Sequence, residues 1–227
     1  MSKPLISYQN VSIFYGTTEV IKNVSFDIFK NDFLNIIGPN GAGKTTLIKS
    51  LIKLIKPQQG IITINTDKIG YVPQKISAKQ NFPLTVLELI YTGYKNPKLR
   101  IDDESKKVIE SWLVKMELKP EILNEKVSHL SGGQLQRVYL IRSLMNDPEV
   151  LILDEPASAL DHSFREKFYV LLNEIKIEKQ MTIIHITHDL TDVVMDHSKV
   201  LCMDQVVKFL GSYDEFKSFE HEGHHHG

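Results

Sequence analysis

One cysteine, Cys202, stands among the 227 residues, so no internal disulfide can form. It lies in the apolar run Val200-Leu201-Cys202-Met203 and reads as a small buried hydrophobe suited to a reducing compartment. No apolar run approaches the ~20 residues a membrane helix needs. Met1-Ser2-Lys3-Pro4 leads into a strand-like pattern without the apolar centre of a signal peptide. Work at a membrane is therefore expected to go through partners. A charge excess is also missing, since 27 Lys and Arg stand against 28 Asp and Glu. That balance removes the electrostatic case for bulk nucleic-acid binding and for adhesion to anionic lipid. Internal repeats are lacking too, and the one biased stretch is His221-Glu222-Gly223-His224-His225-His226.

What is present is hydrophobic periodicity. Val24, Phe26 and Ile28 alternate with Ser25 and Asp27, and Val11, Ile13 and Tyr15 show the same every-other-residue spacing, predicting strands with one buried face. Phe33 to Ile37 is a short apolar run, expected as a buried strand ending at Gly38. Leu47, Ile48, Leu51, Ile52 and Ile55 predict a helix face, with Pro57 and Gly60 ending the helix. Ile61 to Ile64 and Ile69 to Pro73 are further strands. Thr85 and Glu88 have capping-box spacing before Val86, Leu87, Leu89 and Ile90. Val108, Ile109, Trp112, Leu113 and Met116 form a second helical stripe behind Asp102, Asp103 and Glu104, and Leu135, Val138, Ile141, Leu144 and Met145 form a third. Val150 to Leu153 and Thr182 to Ile186 read as strands around a helix marked by Phe164, Phe168, Leu171, Leu172 and Ile175. The pattern predicts an α/β core with a largely parallel sheet over 1–74 and 146–210, a helical insert over 75–145, and a His-rich tail over 211–227.

Gly38-Pro39-Asn40-Gly41-Ala42-Gly43-Lys44-Thr45 follows a strand and opens a helix, the context a P-loop requires. Glycines let the backbone wrap an anion with its N–H groups pointing inward, and the helix offers its positive end. Lys44 can reach β- and γ-phosphates, and Thr45 can ligate Mg²⁺. A chance Gly-rich turn is the competing reading. Val150-Leu151-Ile152-Leu153-Asp154-Glu155 is a buried strand ending in two acids. Beside a P-loop, Asp154 can hold Mg²⁺ and Glu155 can orient the attacking water; otherwise both are solvated carboxylates at a strand end.

Leu130-Ser131-Gly132-Gly133-Gln134 resembles the signature motif of the ABC (ATP-binding cassette) ATPases. Gln74 after Pro73 resembles that family's Q-loop glutamine, Ser158-Ala159-Leu160-Asp161 its D-loop, His188 its switch histidine and Tyr15 the aromatic that stacks on adenine. These elements stand in the family's order over residues 15 to 188. Taken singly, Gln74 could be an exposed turn residue, His188 and Tyr15 structural, Asp161 a helix cap and Ser131 a turn at a helix start. The resemblance implies a P-loop NTPase (RecA-like) core with a small antiparallel β subdomain and an inserted helical subdomain. It implies catalysis by Glu155, His188 and Gln74. It implies ATP contacts from Tyr15, Gly38, Pro39, Asn40, Gly41, Ala42, Gly43, Lys44, Thr45 and Thr46, and from Ser131, Gly132, Gly133, Gln134 and Asp161 across a dimer. Mg²⁺ would sit with Thr45, Gln74 and Asp154.

Two such cassettes would pack head to tail around ATP and drive transmembrane permease subunits from the cytoplasmic face of the membrane. An extracytoplasmic substrate-binding protein is also expected, and no nucleic acid. Phe82-Pro83-Leu84-Thr85-Val86-Leu87-Glu88-Leu89 resembles this region in cassettes of bacterial zinc, manganese and iron importers. The His-rich stretch can hold a borderline divalent ion, or else is a solvated tail or tag remnant. A divalent-metal importer, for zinc or manganese, is the expected system. An importer of another substrate, or a cell-division or lipoprotein-release cassette, is the alternative. Asn31, where the family often has Gly, is expected to tolerate a glycine-like turn.

Overall fold

The computed structural model describes residues 3–74, 76, 83–97, 101–160, 162–188 and 198–223. Its centre is a six-stranded sheet of β3 (Phe33–Ile37), β5 (Ile69–Val72), β6 (Val150–Asp154), β7 (Thr182–Ile186), β8 (Lys199–Asp204) and β9 (Val206–Ser212). The strand order is β5-β6-β7-β3-β8-β9, and only β9 runs antiparallel to its neighbour. β3, β6 and β7 are buried along their whole length. This is why they read as continuous apolar runs: both faces of the sheet are covered. A second sheet, antiparallel, contains β1 (Ile6–Tyr15), β2 (Thr18–Ile28) and β4 (Gln59–Ile64) in the order β2-β1-β4.

Successive residues of the central strands serve two cores, because side chains alternate across a sheet. Leu34, Ile36, Val150, Ile152, Ile184 and Ile186 pack with the antiparallel sheet and α1 (Lys44–Leu51). Phe33, Leu151, Leu153 and Ile183 pack under α2 (Val86–Tyr91), α3 (Asp103–Lys115), α4 (Gly132–Leu144) and α5 (His162–Lys179). Side-chain caps start the helices of the insert. Thr85 and Glu88 form a capping box, Asp102 accepts from the Ser105 amide, and Ser131 with Gln134 forms a second box. A cap of this kind is worth about 1 kcal/mol.

Three expectations change. The first helix ends at Leu51, not near Ile55. Lys53 adopts a left-handed conformation (φ 61°), and the amides of Leu54 and Ile55 both turn back to the Lys49 carbonyl. The helix closes by its own C-terminal hydrogen bonds before Pro57 is reached, while Ile52 and Ile55 still pack against the core. Val108 lies off the buried stripe of α3 at 41% exposure, whereas Ile109, Trp112, Leu113 and Met116 are buried. Residues 211–223 are not a tail. β9 runs to Ser212, and α6 (Tyr213–Gly223) docks Phe216 against Ile37 and Val200. Cys202 is partly buried beside that cluster, and burial pushes its thiol upward. Residues 224–227 lie outside the described residues. Asn31 takes the expected glycine-like turn, with φ 65°.

Two buried polar pairs brace the fold, while the buried Gln136 Nε2 has no hydrogen-bond partner among the described residues. Tyr8 and Ser50 share a 2.7 Å hydrogen bond that ties β1 to α1. His185 of β7 is fully buried, with Nδ1 2.9 Å from Asn35 Oδ1. Burial pushes its pKa down from 6.5 to about 3. The folded protein therefore keeps the imidazole neutral while the unfolded chain protonates it below pH 6.5. Its contribution to stability is complete above pH 6.5 and declines as pH falls toward about 3. Melting temperatures measured across that window should fall with acidification, and His185→Asn, which has no group titrating there, should show a shallower fall.

Candidate nucleotide site

The carboxyl ends of β3, β6 and β7 lie side by side, and the site is built on that edge, where ligands bind in open α/β sheets. β3 ends in the loop 38–43 before α1. A Cβ on Gly38 would strike the Met203 carbonyl, so this position requires glycine. Gly43 has φ 95°, which side-chain-bearing residues rarely adopt, and it turns the chain into α1. The first amides of α1 have no intrahelical acceptor and favour an anion. Lys44 Nζ donates to the carbonyls of Gly38 (2.6 Å) and Pro39 (3.0 Å).

The cavity over this loop holds about 220 Å³ and is lined by residues 40–46 together with Val20, Gln74, Asp154 and Glu155. Thr45 is exposed toward solvent at the helix start, while Thr46 is buried. Asp154 ends β6, and Glu155 follows with φ 47° and its amide bonded to the Ile186 carbonyl at 2.9 Å. A non-glycine residue held in the left-handed region is a strained conformation of the kind found at functional sites. The Glu155 side chain is 12% exposed. It accepts a 2.5 Å hydrogen bond from Gln74 Nε2 on one oxygen, and His188 Nδ1 lies 3.1 Å from the other. The three residues expected to be catalytic thus meet at one carboxylate.

The electrostatics are those of crowded acids. Burial, then the charge of Glu155, pushes the Asp154 carboxyl up to about 6, against the opposing pull of Tyr71 and Lys44. Lys44 is pushed down by burial, and both acids hold it up. Thr45, Asp154 and the Gln74 amide supply only hard oxygen donors, which suit Mg²⁺, and the crowded carboxylates are a pair that a divalent cation would relieve.

Other expected residues stand apart from this cavity. Tyr15 ends β1, is 46% exposed, and has Lys49 Nζ 5.9 Å from its ring centroid. Ser131, Gly132, Gly133 and Gln134 open α4 and do not line the cavity. A Cβ on Gly133 would lie 3.2 Å from the Ala159 carbonyl, so this helix end sits against the segment after Glu155. Asp161 and Phe82 lie outside the described residues. Sequence reasoning missed Val20, which lines the cavity, and Tyr71, whose hydroxyl approaches Asp154 Oδ2 at 3.5 Å. Neither carried a motif. Tyr71 could have been found only by knowing that β5 pairs with β6.

A strand–loop–helix anion cradle with its lysine, facing paired acids at the end of a nearby parallel strand, defines a P-loop nucleoside triphosphatase. The ABC transporter family profile matches residues 21–158. The zinc import ATP-binding protein ZnuC of Rickettsia conorii is 39% identical over 208 residues, covering 90% of this chain and 84% of that protein. The zinc uptake system ATP-binding protein ZurA of Listeria monocytogenes is 34% identical, covering 96% of this chain and 89% of its own. Among solved structures, a dimeric bacterial ABC transporter cassette superposes with a TM-score of 0.81 at 30% identity, covering 91% of this chain and 98% of that one. A dimeric post-hydrolysis cassette bound to ADP and Pi gives 0.78 at 29% identity, with the same coverage. The chain belongs to the ABC transporter family and is an ATP-hydrolysing cassette.

Lys44→Ala should weaken ATP binding by roughly ten- to a hundredfold, the worth of a charge-assisted hydrogen bond or two. Titration with a fluorescent ATP analogue reads this directly, and an unchanged affinity would remove Lys44 from phosphate binding.

Proposed function

We propose that this chain powers zinc import as the ATPase subunit of a membrane transporter, and that hydrolysis runs through Glu155. The observation that carries the catalytic part is the convergence of Gln74 and His188 on the two oxygens of Glu155 beside the Lys44 loop. Residues 40–46 wrap the phosphates, and Lys44 leaves the carbonyls of Gly38 and Pro39 for the β- and γ-phosphates. Thr45, Asp154 and Gln74 would hold Mg²⁺, which supplies charge neutralisation on the phosphates. Glu155 orients a water for in-line attack on the γ-phosphorus and accepts its proton. The bond from phosphorus to the bridging oxygen breaks, and ADP departs with the electron pair. His188 and Gln74 keep the Glu155 carboxylate aimed.

The second cassette of a homodimer supplies Ser131, Gly132, Gly133, Gln134 and Asp161 to the far side of the same ATP, and Tyr15 stacks on the adenine. Residues 1–74 and 146–210 act as the catalytic core, and 75–145 as the helical subdomain. Permease subunits dock in the groove between them near Gln74 and work with an extracytoplasmic binding protein. No helix among the described residues is long and apolar enough to cross a membrane, which suits a subunit held at the cytoplasmic face by those partners. Zinc as cargo is supported by similarity to the zinc import proteins. The histidines at 221, 224, 225 and 226, a set of borderline-soft ligands, favour the same class of ion.

Glu155→Gln keeps the size and the hydrogen-bonding reach of the side chain but loses the base. It should bind ATP, lose nearly all turnover and accumulate as an ATP-dependent dimer by light scattering. A variant that hydrolyses at the parental rate would remove Glu155 from its role. Deleting the subunit in its native cell should abolish high-affinity uptake of radioactive zinc. Intact zinc uptake with lost manganese uptake would reassign the cargo while leaving the ATPase chemistry untouched.

A further inference from the structure

Two polar side chains stand at the same level of the innermost part of the central sheet. Asn35 of β3 and His185 of β7 are paired in register and fully buried. Asn35 Nδ2 donates to Ser198 Oγ at 3.0 Å, which leaves Oδ1 as the acceptor facing His185 Nδ1 at 2.9 Å. The neutral imidazole therefore carries its proton on Nδ1, and Nε2 is the acceptor toward the Tyr169 hydroxyl of α5 at 3.5 Å. The chain of groups runs Tyr169, His185, Asn35, Ser198 and touches α5, β7, β3 and the start of β8. On the same face their neighbours Phe33 and Ile183 are apolar.

Backbone pairing alone does not choose a register, because every residue offers the same N–H and C=O; side chains choose it. Thr182 fixes one end of β7, through its contacts with the Asn31 amide and the Phe29 carbonyl. Toward the nucleotide cavity, the side-chain hydrogen bond between the two strands among the described residues is Asn35–His185, beside an edge contact of the Phe33 and His185 rings at 6.2 Å. A slip of two residues would set Asn35 against Ile183 and leave buried donors and acceptors without partners, at a cost of about 1–3 kcal/mol each. Three residues beyond Asn35, past the end of β3, the chain reaches Gly38 and the Lys44 loop. Three residues beyond His185, past the end of β7, it reaches His188. Thr187 N donates to the Ile36 carbonyl between these points, at 3.2 Å.

We propose that Asn35 and His185 form a register lock that positions His188 against the phosphate loop, making both of them positioning residues for ATP hydrolysis. This inference rests on the roles proposed above for Lys44 and His188; the Lys44→Ala titration tests the first separately, and loss of turnover in His188→Ala at unchanged ATP affinity tests the second. His185 and Asn35 touch neither substrate nor cavity, so their effect is on the alignment of the hydrolytic groups and not on nucleotide binding.

Three variants of the full chain separate positioning from folding, each measured for kcat, ATP affinity and melting temperature. His185→Leu removes the donor at similar volume. His185→Asn keeps it, because Nδ2 of Asn and Nδ1 of His are both one bond beyond Cγ. Asn35→Leu with His185→Leu removes both partners of that bond, while Ser198 Oγ and the Tyr169 hydroxyl lose their contacts to them. Misplacing a catalytic group by about 1 Å can cost on the order of a hundredfold in rate. The expected result for His185→Leu is thus a kcat lowered by about ten- to a hundredfold with ATP affinity within about twofold. His185→Asn should restore most of that kcat. The double variant should regain part of the melting temperature, since positions 35 and 185 no longer face an unpaired group in each other, but keep the low kcat. Parental kcat in His185→Leu, or recovery of kcat together with melting temperature in the double variant, would overturn the proposal. If His185→Leu does not fold, the comparison of the double variant with His185→Asn decides the question by the same criteria.

Discussion

The geometry of the site depends on one carboxylate with a claim on it from either side. Glu155 follows the end of β6 with its backbone forced into a left-handed turn, one oxygen bonded to Gln74 and the other facing His188. Gln74 arrives from β5 and His188 from β7, the two strands that flank β6. Neither approach is possible unless β5, β6 and β7 are parallel and adjacent, with their carboxyl ends on one edge. A parallel sheet needs crossover connections; α1 covers one face together with the antiparallel sheet, and α2 to α5 cover the other. The fold is therefore the means by which residues 74, 155 and 188 come within hydrogen-bonding distance.

Charge at that edge is arranged to be unfinished. Buried Asp154 and half-buried Glu155 stand beside one lysine, and burial, then the charge of Glu155, pushes the Asp154 carboxyl up to about 6. Lys44 meanwhile donates to two carbonyls of its own loop. Both features suit a partner that brings phosphate to the lysine and a divalent cation to the acids. The helix start at Ser131 is arranged differently. Its serine and Gln134 cap their own helix, and it lies outside the cavity. A helix start that caps itself and stands outside the cavity over the Lys44 loop suits the shared site proposed above.

The helical insert is joined to the core rather than appended to it. Residues of α2, α3, α4 and α5 bury one common apolar cluster with Val72, Leu151, Leu153 and Ile183 of the sheet. Arg137 of α4 donates to the Met116 carbonyl at the end of α3 and lies 4.6 Å from the Phe164 ring centroid of α5. Arg137 thus links the insert directly to α5.

Much of this was legible in the residues alone. Buried strands, helix stripes and the capping box at Thr85 are local patterns, set by a side-chain period or by hydrogen bonds within three residues, and they came out nearly where expected. The phosphate loop was legible for the same reason: its glycines and Lys44 act within one strand–turn–helix unit. The end of α1 at Leu51 was not, because Ile52 and Ile55 stay apolar for packing after the helix has closed. Nor was α6, whose docking depends on Ile37 and Val200 far away in the chain. The sequence by itself determined which residues could serve a nucleoside triphosphate and in what order they come. Only the tertiary structure decided that Gln74 and His188 share Glu155, that Tyr71 leans on Asp154, and that Asn35 meets His185. Those contacts are set by strand order and register, which bring together positions separated by 33 to 150 residues.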